Sequence, residues 1–188
     1  MRDINCLYLT EALARDLIRH AQDAAPLEAC GILLGASGQV REVVPVRNAA
    51  ADPQHFYRLD ERQFVTAVFE AEKRGLSLLS LYHSHPGGEP IPSPADVAQA
   101  AYPDTPYLII GLKNQMPRLA AWAIRYGQVS PVELVIGQLE ALTDTVRPSF
   151  TRTHQAAILL SGLLAFIIML ILSLSLLPPA PVILTPLP

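Results

Sequence analysis

His83-Ser84-His85-Pro86, followed by a short loop and then Ser93 and Asp96, places two imidazoles, a hydroxyl and a carboxylate at spacings that can close around one metal ion. The apolar run Leu76-Ser77-Leu78-Leu79-Ser80-Leu81-Tyr82 reads as a buried strand that delivers both histidines at its end, and residues two apart on a strand point to one face. Both imidazoles therefore address one pocket. Gly87-Gly88-Glu89-Pro90-Ile91-Pro92 reads as a loop that turns the chain back. Ser93-Pro94-Ala95-Asp96 then carries the marks of a helix start: a serine N-cap, proline at the first helical position and an acid in the first turn.

Two neutral imidazoles and one carboxylate leave the fourth tetrahedral position of a zinc ion to water, which is the arrangement of a catalytic site and not a structural one. Such a water has its pKa lowered from about 15.7 to about 7 and can attack near neutral pH. It still needs a proton acceptor. Glu28 opens a second apolar run, Ala29-Cys30-Gly31-Ile32-Leu33-Leu34, and a strand lying beside the histidine strand can aim that carboxylate at the metal water. Each residue also has a plainer reading. Ser93 can be an N-cap alone, Asp96 a first-turn acid facing the helix dipole, each histidine a hydrogen-bonded strand-end residue, and Glu28 a surface acid. The conjunction of all five at fixed offsets favours a hydrolase.

At these residues the chain resembles the JAMM/MPN+ family of zinc metallopeptidases, whose pattern is a glutamate opening an early strand, then H-x-H, seven residues and S-x-x-D. Glu28, His83, His85, Ser93 and Asp96 fill those positions. The likeness extends to Glu28 through Gly35, the Asn48 to Tyr57 segment, Tyr82 through Pro86, Tyr107 to Ile110 and Leu119 to Trp122. It covers roughly residues 5 to 136, in the manner of the compact prokaryotic branch. The resemblance implies that His83, His85 and Asp96 bind Zn2+, that Glu28 is the general acid/base, and that Ser93 steadies the oxyanion of a tetrahedral intermediate. It implies an α/β fold with a mixed sheet flanked by helices, MPN-like and cytidine-deaminase-like. The implied reaction is hydrolysis of a peptide or isopeptide bond at the C-terminal glycine of a ubiquitin-like or sulfur-carrier protein. The substrate's extended tail would lie along a sheet edge, bordered by Pro86 to Pro92 and Asn48 to Tyr57. Two readings of other classes stand beside this one. A non-catalytic MPN scaffold usually lacks one or more ligands, and a RadC-like protein carries His-Asn-His-Pro where this chain has Ser84.

The elements that must position these residues alternate along the chain. Thr10 caps a helix to about Asp23 with Leu13, Leu17, Ile18 and Ala21 as its apolar stripe. Strands follow at Ala29 to Ala36 and Gln39 to Val46 around a turn at Ser37-Gly38. Asp60 with Gln63 resembles a capping box that opens a helix carrying Phe64, Val65, Val68 and Ala71 inward and stopping before Gly75. The histidine strand comes next, then the Ser93 helix to about Ala101, then strands near Tyr107 to Leu112, Leu119 to Arg125 and Val132 to Ile136. Helices interleaved with a mixed sheet are the expected outcome.

Ala156 to Leu177 contains no charged side chain, and at about 1.5 Å per residue it spans about 33 Å, a bilayer's hydrocarbon thickness. All 14 basic and 17 acidic residues precede it. Arg147 and Arg152 flank it on one side and nothing charged follows, so the positive-inside rule places the large domain in the cytoplasm. Met1 to Asn5 leads into no apolar secretory segment. The expected organisation is a catalytic domain over 1–136, a linker over 137–155, a transmembrane helix over 156–177 and a short proline-rich tail over 178–188, that is, a single-pass C-terminal anchor. The net charge of −3 with scattered basic residues gives no nucleic-acid footprint. Cys6 and Cys30 are too few for a disulfide framework, and Cys30, inside an apolar run, reads as a packed thiol.

Overall fold

The computed structural model describes residues 4–113 and 116–137, together with Phe166, Ile168 and Met169. The described residues from Ile4 to Gly137 belong to one compact unit. The expected linker beyond Gly137, the expected membrane span and the proline-rich tail lie outside the described residues, apart from those three helical, exposed positions. Among the described residues no helix is long and apolar enough to cross a membrane.

Leu7 and Leu9 alternate with Cys6 and Tyr8, and this period of two forms a first strand, β1 (Cys6–Leu9), whose leucines are buried. Thr10 then caps α1 (Glu11–Ala24) by accepting a hydrogen bond from the Leu13 amide, and Ala14, Leu17 and Ala21 form its buried stripe. The antiparallel pair β2 (Cys30–Ala36) and β3 (Gln39–Val46) turns at Ser37 and Gly38, both at positive φ. The second helix, α2 (Glu61–Lys73), is capped by Asp60, which accepts from the Gln63 amide. The Gln63 side chain does not return to Asp60 as a capping box requires; it accepts from the Arg47 amide. β4 (Ser77–His85) carries both histidines, α3 (Pro94–Gln99) follows Ser93, and β5 (Tyr107–Gly111), β6 (Arg118–Arg125) and β7 (Gln128–Ile136) complete the domain.

The strands close into one barrel in the order β1-β3-β2-β4-β5-β6-β7. Pairing is mixed, as expected: β4–β5, β1–β7 and β1–β3 are parallel, and the others are antiparallel. Closure depends on β1, which no sequence pattern had singled out, because it lies parallel to β7 from Cys6↔Glu133 to Leu9↔Ile136. Tyr126 and Gly127 at positive φ make a tight turn, so β7 begins at Gln128 and not near Val132. Val65, expected inward on α2, is 61 % exposed, while Phe64, Val68 and Ala71 pack as predicted.

Alternation along the central strands divides the core. Leu33 of β2 and Tyr82 of β4 join the cluster that holds Leu17 and Ala21 of α1. Ile32 and Leu34 of β2 and Leu81 of β4 join the cluster that holds Ala71 of α2. His83 and His85 follow Leu81 at spacings of two, so their side chains emerge on the α2 face of β4.

Candidate metal centre and active site

The register sets the site before any side chain is considered. β2 runs antiparallel to β4 with Cys30 opposite His83, and β5 runs parallel on the other side with His83 opposite Ile109 and His85 opposite Gly111. His83 is 0 % exposed. Its ring stacks on Tyr57 at 4.1 Å between centroids and 13° between planes. Nδ1 of His85 donates to the Glu89 carbonyl at 3.0 Å, because a carbonyl can only accept. That bond leaves the lone pair of His85 on Nε2. The loop that supplies Glu89 is fastened in turn. The Trp122 indole donates to the Pro90 carbonyl at 2.8 Å, and the Glu89 carboxylate pairs with Arg118 and Lys113. Gly111 permits this close approach: a Cβ there would lie 2.6 Å from the Pro90 nitrogen.

Asp96 is aimed by the start of its own helix. The Ser93 amide donates to Asp96 Oδ2 at 2.6 Å and the Asp96 amide to Ser93 Oγ at 3.2 Å, a reciprocal capping box. So held, Asp96 Oδ1 lies 3.3 Å from His83 Nε2, and Oδ2 lies 3.3 Å from His85 Nε2. The two Nε2 atoms are 3.1 Å apart. One donor atom from each of His83, His85 and Asp96 falls within 4.8 Å of the others. Nitrogen lone pairs and an anionic oxygen crowded in a buried cleft repel one another unless a cation lies between them, and this donor set suits a first-row divalent ion. The residues fit a metal.

The electrostatics agree with that geometry. Burial lowers the His83 pKa, outweighing the pull of Asp96 toward the protonated form, so the imidazole is neutral and free to ligate. Burial pushes the Asp96 carboxyl up, but the closeness of the two histidines and the hydrogen bond from the Ser93 amide outweigh it. The group is held well below the usual carboxylate range. Glu28 stands outside the three-ligand group, just beyond the end of β2, and is 7 % exposed with Oε2 lacking a hydrogen-bond partner among the described residues. Burial raises its pKa to about 7; the neighbouring His85 opposes the rise and the Asp96 carboxylate adds to it. The thiol of Cys30 donates to the Val46 carbonyl at 3.4 Å and burial pushes its pKa to about 12, a packed group with no nucleophilic character.

The five residues read from the sequence thus gather at one end of β4. Three further residues support them that motif spacing did not assign: Tyr57 against His83, and Ser84 and Asn48 around Glu28. The sequence signals for these are the hydroxyl residue placed between the two histidines and the Asn48 to Tyr57 segment of the family likeness.

This barrel and centre define a chain of the JAB class: it belongs to the family described as prokaryotic homologs of the JAB domain, whose model matches residues 10–125. It is similar to the desampylase of Haloferax volcanii, with 37 % identity over 110 residues that cover 55 % of this chain and 79 % of that protein. It is also similar to the CysO-cysteine peptidase of Mycobacterium tuberculosis, with 32 % identity over 134 residues, 69 % of this chain and 91 % of that one. Among solved structures, a protein from Desulfitobacterium hafniense superposes with a TM-score of 0.64 at 33 % identity, covering 72 % of this chain and 96 % of its own. The chain is a hydrolase of this family.

Proposed function

We propose that the chain is a zinc-dependent peptidase that hydrolyses the bond at the C-terminal glycine of a ubiquitin-like or sulfur-carrier protein. The convergence of His83, His85 and Asp96 beside the buried, unpartnered carboxyl oxygen of Glu28 carries this reading. In it, His83 Nε2, His85 Nε2 and Asp96 hold the ion. When bound, zinc supplies Lewis acidity that acidifies a water and polarises the scissile carbonyl. Glu28 takes the proton from the attacking water and passes it to the departing amine, and a pKa near the working pH suits both transfers. Ser93 Oγ already accepts the Asp96 amide, which leaves its hydroxyl hydrogen free to donate to the developing oxyanion.

The substrate class has two supports. One relative is named for cleaving a CysO–cysteine conjugate. A cavity of about 310 Å³ also opens beside Asp96, lined by Phe56, Tyr57, Phe64, Gln99, Tyr102 and Tyr107, wide enough for an extended tail. The zinc-loaded full-length protein should release the carrier from a CysO–cysteine adduct, read by mass spectrometry, and lose that activity on chelation. Loaded protein that leaves the adduct and ubiquitin-like conjugates uncut would refute the reading.

We also propose that 156–177 tethers the protein to a membrane with the catalytic domain on the cytoplasmic side, on the strength of its length, its lack of charge and the flanking Arg147 and Arg152. The full chain should resist carbonate extraction from membranes. A chain ending at Gln155 should fractionate as a soluble, active enzyme; recovery of both forms in the soluble fraction would exclude the tether.

A further inference from the structure

Glu28 sits where β2 leaves the sheet, and its main chain is held by side chains and a loop in place of the strand ladder. Because Cys30 pairs with His83 in an antiparallel register, the next pair outward is Ala29 with Ser84. The Ser84 amide donates to the Ala29 carbonyl at 2.9 Å in the ordinary way. The return bond is different: the Ala29 amide donates to the Ser84 hydroxyl, also at 2.9 Å. A side chain has replaced one rung of the ladder. Ser84 is fully buried, and alternation turns its side chain away from the face that bears His83 and His85.

The other side of Glu28 is fastened as well. Its amide donates to the Pro53 carbonyl at 2.7 Å; its carbonyl, which shares a peptide group with the Ala29 amide held by Ser84, accepts from Asn48 Nδ2 at 3.0 Å. Asn48 is fully engaged: Nδ2 also donates to the Phe56 carbonyl at 2.9 Å, and Oδ1 accepts from the amides of Ala50 and Arg58 at 3.0 and 3.1 Å. Two carbonyls to satisfy require the two N–H groups of an amide, which aspartate lacks.

We infer that Ser84 and Asn48 are positioning residues that together fix the Glu28 peptide and so aim its carboxyl into the metal cleft. The inference rests on the acid/base role given to Glu28 above. Neither residue belongs to the three-ligand group; both act on the one peptide group that joins Glu28 to Ala29, Asn48 at its carbonyl and Ser84 at its N–H. A misplacement of about 1 Å at a reacting group costs about 100-fold in rate, and release of either clamp frees the backbone torsions that set the carboxyl.

The test uses zinc-loaded full-length Ser84→Ala, Ser84→Thr, Asn48→Asp and Glu28→Gln, with the CysO–cysteine adduct as substrate. Zinc content, kcat, KM and hydrogen exchange at the Ala29 amide are measured. Ser84→Ala should keep its zinc and a KM within about 2-fold of wild type, lose about 10- to 100-fold in kcat, and lose protection at Ala29. Ser84→Thr, which retains the hydroxyl, should restore both. Asn48→Asp, which alters the loop and not the buried strand, should reproduce the selective loss of kcat. On a Glu28→Gln background Ser84→Ala should cost nothing more, because no carboxyl is left to misplace. An unchanged kcat in Ser84→Ala, an equal loss on the Glu28→Gln background, or a loss that tracks zinc would overturn the clamp alone. A Glu28→Gln enzyme with wild-type rate would overturn the acid/base reading and the clamp with it.

Discussion

A carboxyl that must take a proton from water and return it to an amine works best with a pKa near the ambient pH, and burial at the mouth of β2 moves Glu28 there, to about 7. Glu28→Gln keeps the shape and removes the proton carrier. Metal analysis of this variant should show wild-type zinc, and turnover should fall by about 10² to 10⁴; zinc loss would mark Glu28 as a ligand. The same shift governs the stability of the metal-free protein. Between about 4.5 and 7 the folded state holds a proton on Glu28 that the unfolded chain has released, so this residue's contribution to stability falls as pH rises through that window. Chelated Glu28→Gln should therefore gain on chelated wild type, by about 3 kcal/mol above pH 7 in urea melts, and should match it near pH 4. These chemical residues were legible because their relations are local: His83 and His85 share a strand face, and Ser93 and Asp96 share a helix start. Tyr57 was legible only as part of a segment, since its stack on His83 joins residues far apart in the chain.

The elements owe their positions to a few contacts that either can or cannot be seen in local sequence. Thr10, Asp60 and Ser93 cap their helices as their residue types predict, and the Ser37-Gly38 turn sits where a hairpin needs positive φ. β1 was not legible: four residues with two inward leucines carry too little pattern, and the strand exists because β7 and β3 offer it edges. Val65 looked inward by periodicity, but only one stripe of α2 meets the barrel. The α3 cap serves two ends, since it satisfies helix amides and orients the ligand Asp96. Ser93→Ala should then lower kcat by about 10² to 10³ if the hydroxyl also donates to the oxyanion, whereas a cap alone would cost about 1 kcal/mol of stability with kcat kept. Paired thermal melts and steady-state rates separate the two. The loop between β4 and α3 depends on Gly111. In Gly111→Ala the new Cβ would push Pro90 away, and with it the Glu89 carbonyl that orients His85. Zinc affinity should fall by about 10- to 100-fold with all three ligands intact, a result that competition with a chromophoric chelator would show; unchanged affinity would mean that the loop yields without disturbing His85.

At the scale of the whole domain, the barrel is closed by strands drawn from residues 6–136, and the centre sits where that closed frame meets a short helix. Tethered to β4 by a loop, α3 has only six residues, too few to be helical by itself. Its packing on the barrel is slight, with Val97 and Ala100 in the α2 cluster. An ion held jointly by His83 and His85 of β4 and Asp96 of α3 would bind these two elements together, so its affinity for the folded state adds directly to stability. At a free zinc concentration of about 100 times the dissociation constant the gain is about 2.7 kcal/mol. For a domain of this size that corresponds to a rise in Tm on the order of 5–10 °C. Chelation should remove it, and the rise should be absent in His85→Ala and in Asp96→Ala, whose centres lack a ligand. Calorimetry of wild type and both variants, with and without zinc, would decide the matter: a wild-type Tm indifferent to the metal, or variants that gain as much as wild type, would show that these three side chains do not share an ion.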